Sequence, residues 1–129
     1  MVLENVAELE IKEAILPSSS GALVKSGNEL IMYARDNNPN IPHPGKLAIF
    51  GGVVEPGETK LLALIREIRE ELSIDISEEQ IEYLGKLEAG DDQDHIKHIS
   101  LVEITPEQRL LIQKGGEGRE LKFLKSDNL

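Results

Sequence analysis

Cysteine is absent from the chain. Disulfides, thiolate metal sites and cysteine nucleophiles are therefore excluded, and the composition fits a reducing cytoplasm, which is the expected location. Tryptophan is absent too, and the aromatic side chains are Tyr33, Phe50, Tyr83 and Phe123. Core packing is the default use of such rings, so few remain to stack on a base, and base recognition is expected to be loose. Positive charge is in short supply. Fourteen Lys and Arg stand against 24 Asp and Glu, a net charge of −10. With no basic stripe to release counterions, duplex nucleic acid is not an expected partner. A small polyanion is an expected one if metal cations stand between it and the protein; otherwise the acidity serves solubility. No apolar run approaches ~18 residues, so no membrane span is expected. Residues 1–6 have no basic start and do not read as a secretory leader. No serine has a His and an Asp at a telling spacing, so a serine nucleophile is not expected.

The 129 residues are expected to form one domain, 1–129, large enough to bury a core without staples. Loose alternation over 5–12 suggests a strand. Pro17-Ser18-Ser19-Ser20-Gly21 reads as a turn. Residues 22–25 and 29–35 flank Ser26-Gly27-Asn28, a hairpin signal. Residues 36–45, rich in Pro and Asn, form a loop and a candidate rim of a site. A short strand over 46–50 runs into Gly51. Residues 59–72 read as the main helix, with Leu61, Leu64, Ile65, Ile68 and Leu72 on one buried face. Ser77 and Gln80 are spaced as a capping box around a short helical turn. Residues 83–88 form a strand and 90–94 an acidic loop, while 96–104 form a strand with apolar residues on both faces. Thr105-Pro106-Glu107-Gln108 is a second capping box, opening a helix to about residue 113. Residues 115–118 end it, and 121–124 form a last strand. This order points to a mixed α/β or α+β sheet with helices on its faces.

The chemistry concentrates in Gly51-Gly52-Val53-Val54-Glu55-Pro56-Gly57-Glu58-Thr59 and the helix after it. At about 100° per residue, Glu67, Glu70 and Glu71 form one stripe beside the buried one. Like charges at that spacing repel, and a cation between them reverses the sign; carboxylate oxygens suit Mg²⁺ or Mn²⁺. A Glu-rich helix alone is explained by a solvated face, and paired glycines alone by a bare turn. Their joint spacing is the informative feature. Gly52, Glu58, Arg66-Glu67-Ile68, Glu70-Glu71 and Ser73-Ile74 resemble the Nudix box of the MutT-like Nudix hydrolases. A chance match from composition is on the order of 10⁻⁶ per starting position. The family pattern has Gly where this chain has Ser73. A non-Gly residue in that left-handed position costs about 1 kcal/mol.

The resemblance implies an α/β/α sandwich. It implies a hydrolase that splits a nucleoside diphosphate linked to another group, by water attack on phosphorus with Mg²⁺ or Mn²⁺. Glu67, Glu70 and Glu71 are then metal ligands, joined by the Gly51 carbonyl, and Glu58 supports the metal cluster. Arg66 orients the carboxylates by a charge-assisted pair. The general base is Glu67 or a carboxylate among Asp91, Asp92 and Asp94. Arg35 and Lys46 are candidate phosphate contacts beside Gly52, and His43 is a weaker one. His95 and His98 are three apart on a strand and face opposite ways, so they do not chelate one ion simply. A nucleoside triphosphate is the first substrate expected and an ADP-ribose-type compound the second. The alternative is a nucleotide-sensing module on the same fold, which is free to lose the three glutamates that this chain keeps. Homodimers are common in the family, but no stretch marks an interface.

Overall fold

A computed structural model describes residues 18–35, 39–40, 45–89, 92–112 and 120–125, without the side chains of 88–89 and 92–94. The expected strand over 5–12, His43, Asp91, most of the 36–45 loop and residues 115–118 lie outside the described residues, as do the side chains of Asp92 and Asp94.

Among the described residues the chain forms a seven-stranded mixed sheet with helices. Its strands are β1 (Ser18–Ser26), β2 (Glu29–Ala34), β3 (Leu47–Ala48), β4 (Phe50–Val53), β5 (Ile81–Ala89), β6 (Asp92–Glu103) and β7 (Glu120–Lys125), and its helices are α1 (Lys60–Leu72) and α2 (Pro106–Leu111). The path runs β3-β2-β1-β6-β5, with β4 on β1 and β7 on β2. β1 and β6 are parallel, whereas β1 is antiparallel to β2 and β4. The α/β class expected from the sequence is the one observed.

Three expectations need correction. Residues 18–21 are not a turn but the start of β1. Ser20 is buried and its hydroxyl donates to the Lys60 carbonyl at 2.7 Å, while the backbone around it pairs with β4 on one side and β6 on the other. Small polar residues suit a strand enclosed between two others with a helix end against it. The strand expected over 46–50 is two strands interrupted at Ile49, because β3 pairs with β2 and β4 with β1. The acidic stretch is also shorter than a 90–94 loop, since the backbone of 92–94 already belongs to β6.

The core lies between α1 and the sheet. Phe50, Ile31, Leu64, Ile68, Leu72, Val24 and Val102 are fully buried, each worth about 1.5–3 kcal/mol relative to exposure. Ile68 and Leu72 come from the expected apolar stripe. Ala63 joins the buried face, while Leu61 and Ile65 are half-buried. Tyr33 and Phe50 pack with centroids 5.5 Å apart, whereas Tyr83 and Phe123 are partly exposed. α2 begins with the expected capping box, with Gln108 N–H donating to Thr105 Oγ1 and Thr105 N–H to Gln108 Oε1.

Candidate active site

The turn into α1 builds the site. Pro56-Gly57 reverses the chain, with Gly57 at φ +82° and Glu58 N–H donating to the Glu55 carbonyl at 3.0 Å. Proline presets the first corner and glycine takes the left-handed second one. Thr59 caps α1, accepting from Leu62 N–H at 3.1 Å. At the far end Ser73 has φ 59° and ψ 33°, and its N–H reaches the Arg69 carbonyl at 3.0 Å. The left-handed exit expected at the family's glycine position is thus present, carried by serine.

Arg66 is the hub of the carboxylates. Its Nε donates to Glu58 Oε2 at 2.7 Å and its Nη2 to Glu58 Oε1 at 3.0 Å, a two-pronged charge-assisted pair. Nη1 donates to Glu67 at 2.9 Å and to Glu70 at 3.3 Å, and Nη2 also reaches the Val53 carbonyl at 3.1 Å. One guanidinium therefore ties the helix to both the turn and β4. Hydrogen bonds from Arg66, then from the Glu55 backbone N–H, hold the Glu58 carboxyl down at about 2. Its hydrogen bonds to Glu58 first, then to Glu67 and Glu70, push Arg66 above its ordinary value.

The two glycines of β4 are explained by what surrounds them. Gly51 has φ +142°, and a Cβ there would collide with the Ser20 carbonyl of β1. Its N–H donates to Glu71 Oε2 at 3.3 Å. A Cβ on Gly52 would collide with the carboxylate of Glu67.

Gly51 and Gly52 also line a pocket of about 640 Å³. Met32, Leu47 and Ile49 give it apolar wall, and Arg35, Lys46 and Lys97 give it positive charge, with no Asp or Glu among the described lining residues. Arg35 and Lys46, candidates from the sequence, are brought together, with Arg35 N–H donating to the Lys46 carbonyl at 2.8 Å. Lys97 was not legible in advance. Its signal is a cation on the strand face that otherwise carries Ile99 and Leu101, and it depends on the non-local pairing of Ser19 with Lys97.

The expected metal ligands are side by side, but not gathered around an ion. Among the described residues no group of three or more His, Asp or Glu side chains converges to hold one. Glu67 and Glu70 are turned onto Arg66 instead. The donor set nevertheless consists of hard carboxylate oxygens, suited to Mg²⁺ or Mn²⁺. The histidines serve other contacts: His98 is buried with Nδ1 3.0 Å from the Tyr83 hydroxyl, and His95 Nε2 lies 3.0 Å from Ser19 Oγ.

The model of the NUDIX domain matches residues 16–129. The chain belongs to the NUDIX family. A curated relative, ADP-ribose pyrophosphatase from Methanocaldococcus jannaschii, is 31% identical over 108 residues, which is 83% of this chain and 60% of that protein. The chain thus spans about three-fifths of that relative's length. The MutT/nudix family protein from Enterococcus faecalis has a similar structure, with TM-score 0.70, 19% identity, and 95% of this chain and 51% of that one covered. The mutT/nudix family protein from Listeria innocua gives 0.66 at 19% identity, over 84% of this chain and 77% of that one. At these identities the two structures speak for the NUDIX fold alone. Within the described residues no helix is long and apolar enough to cross a membrane.

Proposed function

We propose that this NUDIX chain, as a single domain, is a divalent-metal-dependent pyrophosphohydrolase. It cleaves the phosphoanhydride of a nucleoside diphosphate joined to a further group, with a nucleoside triphosphate as first substrate and an ADP-ribose-type compound as second. One observation carries the reading. Gly51 and Gly52 meet the carboxylates of Glu71 and Glu67 and also line a pocket walled by Arg35, Lys46 and Lys97. A polyanion in that pocket is separated from Glu67 and Glu71 by the two glycines alone. The printed name of the Methanocaldococcus relative favours the second substrate.

A phosphoanhydride is anionic and repels a nucleophile. Glu67, Glu70, Glu71 and the Gly51 carbonyl would hold Mg²⁺ or Mn²⁺, which would supply charge neutralisation and activation of water. The remaining tasks fall to the chain. Arg66 positions Glu67 and Glu70, and Glu58 fixes Arg66 from the turn. Arg35 and Lys46 hold phosphate oxygens, and Gly52 leaves room for the Glu67 carboxylate beside the substrate. The attacking water gives its proton to Glu67 or to a carboxylate from 91–94.

The test is a substrate screen with Mg²⁺ and Mn²⁺ over nucleoside triphosphates, ADP-ribose, dinucleoside polyphosphates and nucleotide sugars, with products identified. Release of a nucleoside monophosphate is expected, with a loss of at least about 10²-fold in kcat for Glu71→Gln. Absence of any cleavage, or a Glu71→Gln variant as fast as the parent, refutes the proposal.

A further inference from the structure

We infer that Lys97 is a specificity residue, recognising the terminal phosphate of a nucleoside triphosphate and so setting a preference for triphosphates over ADP-ribose-type compounds. The inference rests on the pyrophosphohydrolase reading above and deepens it.

The topology places Lys97 on the far side of β1 from the other two cations of the pocket. In the parallel ladder Ser19 pairs with Lys97 and Gly21 with Ile99, and across β1 the same residues pair with Val53 and Gly51 of β4. Arg35 and Lys46 sit beyond, where β2 meets β3. The glycine strand is therefore flanked by positive charge at both ends of the pocket.

The stem of Lys97 runs over Gly21. A Cβ built on Gly21 would come within 3.4 Å of Lys97 Cε and 2.8 Å of Ile49 Cδ1. The lysine stem thus packs beside Gly21, within the lining of the pocket. Among the described residues no carboxylate pairs with Lys97, although Arg69, Arg109 and Lys122 each have one, at Asp75, Glu29 and Glu120. In a chain with a net charge of −10, a pocket wall with three cations and no acid among its described lining residues is a recognition surface for anions.

The chemistry of the two substrate classes then separates them. A terminal phosphate carries about −1.5 to −2 charge at pH 7, whereas each bridging phosphate carries a single charge. A nucleoside triphosphate has a terminal phosphate, while ADP-ribose has bridging phosphates alone and ends in a neutral sugar. The ammonium of lysine is a compact charge with three rotatable donors and makes little demand on direction, which suits the freely rotating end of a phosphate chain.

The experiment compares kcat/KM for ATP, GTP and ADP-ribose with Mg²⁺ in the parent, Lys97→Met and Lys97→Arg. Methionine keeps the length of the stem without the charge. The triphosphate-to-ADP-ribose ratio is expected to fall about tenfold in Lys97→Met, through KM, and to recover most of that in Lys97→Arg. A ratio unchanged by Lys97→Met, or a parent that prefers ADP-ribose, overturns the inference and leaves the hydrolase reading standing. A parent that cuts nothing overturns the hydrolase reading. In that case calorimetric titration of ATP and ADP-ribose in EDTA still tests Lys97, whose loss must weaken ATP binding more than ADP-ribose binding. Thermal melts confirm that the variants fold.

Discussion

The carboxylate of Glu67 occupies the space that a Cβ on Gly52 would need. The helix and the glycine strand are fitted to each other at this point, and the position of a proposed ligand depends on the absence of one methyl group. Gly52→Ala is therefore expected to fold, because Gly52 has no left-handed φ to satisfy, yet to push Glu67 aside. A misplacement of about 1 Å in a catalytic group costs on the order of 10²-fold in rate. Circular dichroism with single-turnover kinetics checks this; full activity in Gly52→Ala shows that Glu67 is not positioned by this contact.

Glu58 gives the fold an acid-sensitive joint. Its pKa falls from 4.5 to about 2 in the folded chain, through Arg66 first and the Glu55 backbone N–H second. Because the folded value lies below the unfolded one, the unfolded chain binds more protons in this range. The stabilisation is fully present above about pH 4.5 and is lost as the pH falls through about 2. Urea unfolding from pH 6 down to pH 2 should show Glu58→Gln less stable than the parent at pH 6, with the gap closing in acid. A gap that stays constant over that range removes this carboxylate from the acid response.

Ser73 holds a left-handed conformation that glycine adopts without steric cost. Ser73→Gly is expected to raise stability by about 0.5–1 kcal/mol, measured as a shift of the urea midpoint at constant slope. Since Ser73 caps the far end of the helix and is not among the described residues that line the pocket, kcat should not change. A destabilised variant would show that the serine side chain compensates for its backbone.

Ile68 is fully buried beneath the stripe of glutamates. Its truncation to alanine should cost about 2–5 kcal/mol, seen as a lower midpoint in denaturant. The cost lies in the cavity left between α1 and the sheet, so a loss below about 1 kcal/mol would mean that the helix is not anchored there.

The local parts of this structure could be read from the chain. The apolar stripe of α1, both capping boxes, the hairpin at Gly27 and the box itself depend on residues a few positions apart. What could not be read depends on distant pairings. Ser18 to Gly21 look like a turn until β4 and β6 enclose them, and Ile49 looks like mid-strand until β3 and β4 take different partners. Lys97 looks like a surface cation until the parallel ladder sets it beside Ser19. The stripe of carboxylates was visible, and the resemblance implied that Arg66 orients it, but the reach of Arg66 to Val53 and Glu58 was not, because it depends on the turn between them.

β1 pairs with β2, β4 and β6, whose residues come from the start, the middle and the far half of the described chain. The helix with its glutamates can form from neighbouring residues, but the pocket exists only after β6 has found β1. Long-range parallel pairing is slow, since loop closure must precede the contacts that reward it. Competence for binding a nucleotide should thus arrive only when β6 has docked on β1.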